Sequence, residues 1–391
     1  MSAGAPAGTR TRAGAAAGAK RGPLGVGIIG AGVISAQYLR NLTGFPDVEV
    51  LFVADLDVAR ASARALEFGI PGHGTVAELL AEPGIEIVVN LTTPAAHAEV
   101  GLQILAAGKH VWTEKPLALD LESGRRLLDA ATDRGLRVAS APDTFLGAGL
   151  QTGLRAVRRG AIGEPLTGLA LFQSPGPEAW HPNPEFLFAA GGGPLFDMGP
   201  YYLTLLVQVF GPAARVTASA STSKARRAIG SGPRAGTEFE VSVPTHHSAL
   251  IEFAGGASAL AVFSFQAHLR RSPLVEVSGT DGSIAFPDPN QFAGDTQLAT
   301  AGGDETLSPA GPVSGRGTGV LELARAIRSG ATERASGALG YHVLDIMVSI
   351  SRSAREGRPV DVASTVDRAA TLPEDWDPSA ATLTREREPR H

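Results

Sequence analysis

Three side chains in this sequence have the chemistry to orient a hydroxyl group and to move its proton. Asp197 and Tyr201 lie in the stretch GGGPLFDMGPYY, residues 191–202, and Lys115 lies in HVWTEKPLALD, residues 110–120. A carboxylate accepts hydrogen bonds from hydroxyl groups, whereas an amine and a phenol can each give or take a proton. Asp197 and Tyr201 are four residues apart, so on a helix their side chains lie on one face. The spacing therefore indicates a shared site.

A helix is predicted to begin at the glycines of that stretch. Gly191–Gly193 allow backbone angles that other residues avoid, and Pro194 suits the first position of a helix. Pro200 has no backbone N–H, so we expect it to kink or restart the helix. We also expect the glycines to let this helix end approach a bulky planar ring. Lys115 precedes a proline, which favours an extended or turn conformation and gives the amine a rigid mount.

The composition limits the class of protein. The chain has 391 residues, 43% of them hydrophobic and 19% charged, which favours two globular domains with separate cores. No apolar run is long enough to span a membrane, and a net charge of −5 argues against a general nucleic-acid binder. We therefore expect neither a membrane nor a nucleic-acid partner. The absence of cysteine excludes disulfides and thiolate metal sites, and we expect no metal.

The order of apolar and helical segments predicts an α/β fold. Residues 1–22 lack the apolar region of a secretory signal, so we expect a disordered tail and a cytoplasmic protein. Residues 23–145 alternate nearly continuous apolar runs with helical segments, which is typical of a doubly wound parallel sheet. Residues 146–365 favour an α+β domain with a large, mostly antiparallel sheet. Residues 366–391 read as a C-terminal tail.

A glycine-rich turn after the first apolar run predicts a dinucleotide site. Gly30 permits a tight turn, and Gly32 lets the backbone approach a pyrophosphate at the start of a helix. Asp55 ends the next strand, where a carboxylate can bind both ribose hydroxyls of NAD, although it could instead cap a helix. Arg60 follows it and keeps NADP possible. The predicted cofactor contacts are Gly30, Gly32, Val33, Ile34, Asp55, Arg60, Thr92, Thr93, Pro94, His97, Glu114 and Lys115.

The later cofactor contacts lie at the carboxyl ends of two further strands, the edge at which open α/β sheets bind ligands. His97 has an alternative role as a helix-start residue that caps the helix or points to solvent. Trp180, which could stack on a sugar face or only fill the domain interface, and His181 lie in the proline-broken loop before residue 191. Asp143 and Phe145 end the last strand of the first domain and are predicted to face the same crevice. Arg316 is expected to be solvated, with a contact to substrate or to a neighbouring subunit as the alternative.

In this order along the chain, the elements GAGVIS, TEKPLALD and GGGPLFDMGPYY resemble the glucose–fructose oxidoreductase, inositol dehydrogenase and MocA family of NAD(P)-dependent oxidoreductases. The resemblance implies an N-terminal Rossmann domain and a C-terminal α+β domain whose open sheet forms a homodimer or homotetramer. It also implies hydride transfer between nicotinamide and a carbinol of a sugar, a sugar derivative or a cyclitol. Lys115 then corresponds to the E-K-P lysine and Asp197 to the motif aspartate. Tyr201 stands where many members have histidine.

Carbinol oxidation needs a base, because the hydroxyl proton must leave at about the same time as the hydride. We expect Tyr201 to carry the proton and Lys115 to be its electrostatic partner, with the reverse assignment left open. Asp197 would orient substrate hydroxyls or Lys115. Together with Asp143, Phe145, Trp180 and His181 these residues form the predicted substrate site. Two other functions stay open: an NAD-dependent glycoside hydrolase that acts by transient oxidation and elimination, and a non-catalytic dinucleotide-binding sensor.

Overall fold

The structure is a computed structural model that describes residues 22–269 and 274–383. The predicted N-terminal tail therefore lies outside the described residues except for Gly22, and so does the part of the predicted C-terminal tail beyond Leu383. None of the helices within the described ranges is long and apolar enough to cross a membrane.

A six-stranded parallel sheet with helices between its strands forms the N-terminal domain, as predicted. Its strand order is β3-β2-β1-β4-β5-β6, so the order reverses between β1 and β4. All six residues of β1 are buried, which explains the continuous apolar run in the sequence. The elements are β1 (Leu24–Ile29), α1 (Val33–Leu42), β2 (Val48–Ala54), α2 (Val58–Phe68), β3 (Gly72–Gly74), α3 (Val76–Ala81), β4 (Ile85–Asn90), α4 (His97–Ala106), β5 (His110–Thr113), α5 (Leu121–Arg134) and β6 (Val138–Ser140).

A nine-stranded open sheet dominates the rest of the chain, in the order β16-β15-β14-β13-β7-β12-β11-β8-β17. Only the β7–β12 pair is parallel among the described pairs of this sheet, so the predicted mostly antiparallel sheet is confirmed. The elements are α6 (Ala148–Arg158), β7 (Pro165–Gln173), α7 (Gly193–Phe210), β8 (Ala213–Ser221), β9 (Arg226–Ala228), β10 (Glu238–Glu240), β11 (His246–Phe253), β12 (Ser258–Ser264), β13 (Leu274–Gly279), β14 (Gly282–Phe286), β15 (Thr296–Thr300), β16 (Gly303–Leu307), α8 (Thr318–Ser329), α9 (Gly337–Glu356) and β17 (Val360–Asp361).

Helix α7 carries the Asp–Tyr motif across one face of the large sheet. Tyr202 is fully buried, and its ring meets Phe172 and Phe263 edge-on at centroid distances of 6.1 and 5.8 Å. The expectation that Pro200 restarts the helix is wrong, because α7 runs without interruption from Gly193 to Phe210. Packing of its apolar face on the sheet offsets the loss of one backbone donor.

Two segments that contain several glycine and proline residues, 224–236 and 301–317, include strands. The segment 224–236 enters the β9–β10 hairpin, whose Ile229 and Phe239 pack in a small buried cluster with Phe188 and Phe265. The second segment, residues 301–317, includes β16. These strands are only three and five residues long, which is too short for a two-residue period of hydrophobicity to be recognised in the sequence.

The final described segment ties the two domains together. Asp47, which is fully buried at the start of β2, accepts hydrogen bonds from Arg325 Nε at 2.8 Å and from Thr382 Oγ1 at 2.6 Å. It also accepts from the backbone N–H groups of Thr382 and Leu383, at 3.1 and 2.7 Å. Burial alone raises the pKa of Asp47, but these hydrogen bonds hold the pKa below its usual value. The Asp47 carboxylate therefore stabilises the fold fully at pH values above the pKa that Asp47 has in the unfolded chain. This stabilisation is lost as the pH falls through the lower pKa of Asp47 in the folded protein.

We expect Asp47→Ala to lower the free energy of unfolding by about 3 kcal/mol at neutral pH, because it leaves the buried Arg325 without its partner. Chemical denaturation checks this value, with Asp304→Ala as an exposed control that changes stability by less than about 0.5 kcal/mol. The difference between the wild type and Asp47→Ala should shrink as the pH falls through the depressed pKa of Asp47, because protonation removes the same stabilisation. Equal losses in both variants contradict the prediction.

Candidate functional site

A cleft lies where the carboxyl edge of the parallel sheet meets the start of α7. The cavity has a volume of about 350 Å³. Its wall on the side of the N-terminal domain includes Thr93, Pro94 and Lys115. Phe186, Gly191 and other residues before α7, followed by Phe196 and Asp197 on α7, form the opposite wall. Both halves of the chain therefore supply predicted site residues to one cavity. Its position at the strand ends is where open α/β sheets bind ligands.

Lys115 and Asp197 form an ion pair at the wall of this cleft. Lys115 Nζ lies 2.9 Å from Asp197 Oδ1 and 2.7 Å from the Asp197 backbone carbonyl. An ammonium has three donors, so one N–H remains for another acceptor. Burial alone lowers the pKa of Lys115, but the charge of Asp197, followed by Tyr201 and Glu114, raises the pKa well above its usual value. Lys115 is consequently an ammonium at neutral pH.

Tyr201 lies beside this pair and is nearly buried, with 5% of its surface exposed. Lys115 Nζ is 5.3 Å from the centroid of its ring, so the predicted neighbours are together. Burial raises the pKa of Tyr201, whereas the positive charges of Lys115 and Arg316 lower it. Burial outweighs the two cations, so the pKa of Tyr201 stays above its usual value.

Arg316 is the site residue that sequence reasoning misjudged. Its side chain is 12% exposed rather than solvated, and Nη2 lies 3.1 Å from the Tyr201 hydroxyl. The same Nη2 donates to Asn290 Oδ1 at 2.8 Å, while Asn41 on α1 donates to the Arg316 carbonyl at 2.8 Å. No local pattern in the sequence marks this placement, because it depends on how α8 packs against α1.

Asp143 and Phe145 are placed away from the cleft wall. Asp143 is fully buried, and its Oδ2 accepts from the backbone N–H groups of Gly317 and Gly319 at 2.9 and 3.1 Å. The carboxylate thus caps α8, whose own N-cap residue is a glycine. Burial raises the pKa of Asp143 to about 6, despite the opposing charge of Arg316. Phe145 is 2% exposed, in the core. This placement favours structural roles over the predicted substrate contacts.

The glycine turn after β1 fits a dinucleotide. Gly30 has φ +105°, and a Cβ there would lie 2.6 Å from the Leu91 carbonyl oxygen, so the fold itself requires glycine. A Cβ at Gly32 would meet nothing within 4 Å, so the fold itself does not require glycine at this position. Space at the first turn of α1 is what close approach of a pyrophosphate requires. Val33, the first residue of the helix, is 88% exposed there, and Ile34 is half-buried.

Asp55 and Asp57 divide the two roles that the sequence left open. Asp57 caps α2 by accepting from the backbone N–H groups of Ala59 and Arg60. Asp55 accepts from the backbone N–H of Ala31 at 2.7 Å and from Arg60 Nη2 at 2.8 Å. Burial alone raises the pKa of Asp55, but the N–H groups of Asp57 and Ala31 and the guanidinium of Arg60 lower it. Asp55 is therefore an anion at the end of β2, and a carboxylate there suits the ribose hydroxyls of NAD better than a 2′-phosphate.

Two of the predicted cofactor contacts, His97 and Glu114, are buried and make hydrogen bonds within the protein. His97 is buried, with Nδ1 2.7 Å from the Pro116 carbonyl and Nε2 3.1 Å from the Thr92 carbonyl. This histidine links the ends of β4 and β5 and does not point to solvent. Glu114 is also buried and accepts from the Tyr38 hydroxyl at 2.8 Å and from the Lys115 N–H at 3.0 Å.

Trp180 and His181 do not line the cleft but are connected to its wall through Phe186. Trp180 is 67% exposed, so it does not fill the domain interface. Its ring centroid is 5.5 Å from that of His181, which in turn is 5.4 Å from Phe186 on the cleft wall. The backbone of the motif packs closely against other residues of the protein at Gly191, where a Cβ would lie 2.6 Å from the Leu119 side chain.

The two turn glycines make a matched test of the dinucleotide site. We expect Gly32→Ala to weaken NADH binding about tenfold or more while changing the free energy of unfolding of the free protein by less than about 1 kcal/mol. Gly30→Ala should destabilise the free protein by more than about 2 kcal/mol, because of its positive φ and the close Leu91 carbonyl. NADH fluorescence titration and thermal unfolding separate the two effects. Undiminished binding by Gly32→Ala argues against pyrophosphate contact at this turn.

Comparisons with known proteins agree with this geometry. Residues 24–141 match the oxidoreductase family with an NAD-binding Rossmann fold, and residues 151–285 match the GFO/IDH/MocA C-terminal domain. The chain is 30% identical to trans-1,2-dihydrobenzene-1,2-diol dehydrogenase of Sus scrofa, over 67% of this chain and 74% of that protein. It is 27% identical to 1,5-anhydro-D-fructose reductase of Ensifer adhaerens, over 86% and 98%. The structure of levoglucosan dehydrogenase with NADH and L-sorbose superimposes with a TM-score of 0.77 at 25% identity, covering 88% of this chain and 100% of that one. The chain belongs to the GFO/IDH/MocA family of NAD-binding oxidoreductases.

Proposed function

We propose that this protein transfers hydride between a nicotinamide cofactor and a secondary carbinol of a sugar, a sugar derivative or a cyclitol. The observation that carries the proposal is the Lys115–Asp197 ion pair, which lies on the cleft wall beside Tyr201 and leaves one ammonium N–H free. The relatives named as an anhydrofructose reductase and a levoglucosan dehydrogenase support a carbohydrate-type substrate. Bound NAD supplies the hydride acceptor at its nicotinamide ring.

Lys115 is assigned as the donor that binds the reacting oxygen. Its raised pKa keeps it charged, so it cannot accept the carbinol proton at neutral pH. The ammonium instead stabilises negative charge that develops on the carbinol oxygen as the proton leaves. Asp197 holds Lys115 in place through both its carboxylate and its carbonyl.

Tyr201 is assigned as the proton carrier in both directions. In oxidation the carbinol C–H leaves as hydride, the O–H proton passes to the Tyr201 oxygen, and a ketone forms. In reduction the Tyr201 hydroxyl returns the proton. Burial holds the pKa of Tyr201 above its usual value, and the charges of Lys115 and Arg316 limit that rise, so the phenolate forms more readily than burial alone would allow. Trp180 and His181 are assigned to the part of the substrate remote from the reacting carbon.

The proton assignment predicts the effect of two substitutions. We expect Tyr201→Phe to lower kcat/KM for carbinol oxidation about 10²- to 10⁴-fold, because the proton acceptor is removed. Oxidation by the wild type should accelerate with rising pH as the phenol ionises, and Tyr201→Phe should flatten that profile. Lys115→Met should also lower kcat and should keep a pH-dependent profile, because Tyr201 still ionises, with a midpoint moved upward by the loss of the ammonium charge. As a control, both variants should bind NADH with an affinity within a few-fold of that of the wild type. Unchanged turnover in Tyr201→Phe would contradict the assignment of Tyr201 as the proton carrier.

The same assay separates the two other functions. A screen of free sugars, cyclitols and glycosides with NAD and with NADP, followed at the nicotinamide absorbance, should show stable accumulation of the reduced cofactor. A glycoside hydrolase that acts through transient oxidation would release its product without net reduction of the cofactor. A sensor would bind the cofactor with no turnover, and a sensor has no need of the Lys115, Asp197 and Tyr201 arrangement.

We also infer a homodimer or homotetramer through the open face of the nine-stranded sheet. The pairing register places Leu250 opposite Leu260, and Leu260 opposite Leu169, so the three leucines lie side by side on one face. Leu260 is 56% exposed, and a row of exposed leucines on a sheet is typical of an interaction surface. The cytoplasmic location stays a prediction.

The exposed leucines give a direct test of assembly. We expect Leu260→Glu to convert the oligomer to a monomer, because it buries a carboxylate at the centre of the proposed contact. Light scattering coupled to size-exclusion chromatography measures the mass. Leu66→Glu is the matched control, since Leu66 is 84% exposed but lies on α2, outside the nine-stranded sheet. A wild-type monomer, or an oligomer that survives Leu260→Glu, excludes this interface.

A further inference from the structure

Two cations contact Tyr201, and they contact different parts of it. Lys115 Nζ lies over the ring, 5.3 Å from its centroid, and two of its hydrogen bonds are already made to Asp197. Arg316 reaches the oxygen, with Nη2 3.1 Å from the Tyr201 hydroxyl. The group that touches the proposed proton-carrying atom is therefore the arginine.

We propose that Arg316 is a positioning residue that fixes the direction of the Tyr201 hydroxyl hydrogen and stabilises the phenolate, an inference that rests on the proposed function. A guanidinium has only donors, so the Tyr201 oxygen must accept from it. The hydroxyl hydrogen then points away from Arg316 and is free for another acceptor, which is the reacting oxygen. Because arginine does not release its proton in proteins, the proton on Tyr201 cannot pass into the protein interior through this contact.

The surroundings of Arg316 hold it in this position. Asn290, in the segment after β14, accepts from the same Nη2 at 2.8 Å, and Asn41 on α1 fixes the Arg316 backbone. Nη1 lies 3.9 Å from Asp143 Oδ1, and neither atom has a hydrogen-bond partner among the described residues. Asp143 is therefore a weak partner that leaves the guanidinium directed at Tyr201. Since α1 follows the glycine turn, the arginine also joins the dinucleotide-binding helix to the proposed proton carrier.

The other charged groups near Tyr201 oppose or complement this effect. Glu114 and Asp197 carry negative charge that disfavours the phenolate, whereas Lys115 and Arg316 favour it. Around Arg316 the facing groups are Tyr201, Glu114, Asp143 and Tyr38. The charge of Lys115 lowers the pKa of Tyr201 more than that of Arg316 does, but Lys115 is paired with Asp197 at 2.9 Å, and Arg316 is the cation that is hydrogen-bonded to the phenol oxygen.

The kinetic test compares Arg316→Met and Arg316→Lys with the wild type. We expect Arg316→Met to lower kcat/KM for oxidation about tenfold or more and to move the midpoint of its pH profile upward by about one unit. Arg316→Lys should restore part of both, because it keeps the charge. In a Tyr201→Phe background, Arg316→Met should change kcat/KM less than about threefold, since the residue acts through the phenol. Arg325→Met, which removes an equally buried arginine far from Tyr201, should leave the pH midpoint unmoved.

A titration without substrate separates this proposal from the proposed function. The difference in tyrosinate absorbance between each protein and its Tyr201→Phe counterpart reports the ionisation of Tyr201 alone. We expect the midpoint of this difference to rise by about one pH unit in Arg316→Met, whether or not a substrate is known. An unchanged midpoint, or an Arg316→Met effect on turnover that is equally large in the Tyr201→Phe background, overturns the proposal. If the midpoint rises and no carbinol is oxidised, the proposed function fails while the contact stands.

Discussion

The contact between Lys115 and Asp197 joins the parallel sheet to the large sheet at the cleft. A partly buried ammonium is costly unless it is paired and hydrogen-bonded, and Asp197 supplies both a carboxylate and a carbonyl oxygen. To make that contact, the start of α7 must come within hydrogen-bonding distance of the turn after β5. The glycine at residue 191 permits this approach, since its φ of +83° is one that other residues rarely adopt.

Charge is arranged in layers behind this contact. Lys115 and Arg316 lie on two sides of the Tyr201 phenol, and Glu114 and Asp143 lie farther back as buried carboxyl groups. Each of these acids has a structural partner of its own. Glu114 holds the Tyr38 hydroxyl and the Lys115 backbone, and Asp143 caps α8. The buried negative charge is thereby used for structure, and the two cations remain directed at the proposed reaction site.

The sequence predicted the parts of the fold that repeat a strong local pattern. Helices α2 and α5 are of this kind, because each begins at an aspartate cap and ends at a left-handed glycine. The Lys115, Asp197 and Tyr201 neighbourhood was also expected from motif order, although the roles of these residues stay a proposal. Arg316 and Asp143 were misjudged because their positions depend on how α8 packs against α1 and β6, which no local pattern reveals. The continuity of α7 through Pro200 has the same origin, since tertiary packing overrides a local breaker.

The most direct test of the central claim is a crystal structure of the protein with NAD and a carbinol that cannot react. The account predicts that the carbinol oxygen lies within about 3.2 Å of both Lys115 Nζ and the Tyr201 hydroxyl oxygen, with the Lys115–Asp197 ion pair intact. A carbinol bound out of reach of both side chains, or a Lys115 that leaves Asp197 to bind elsewhere, contradicts it.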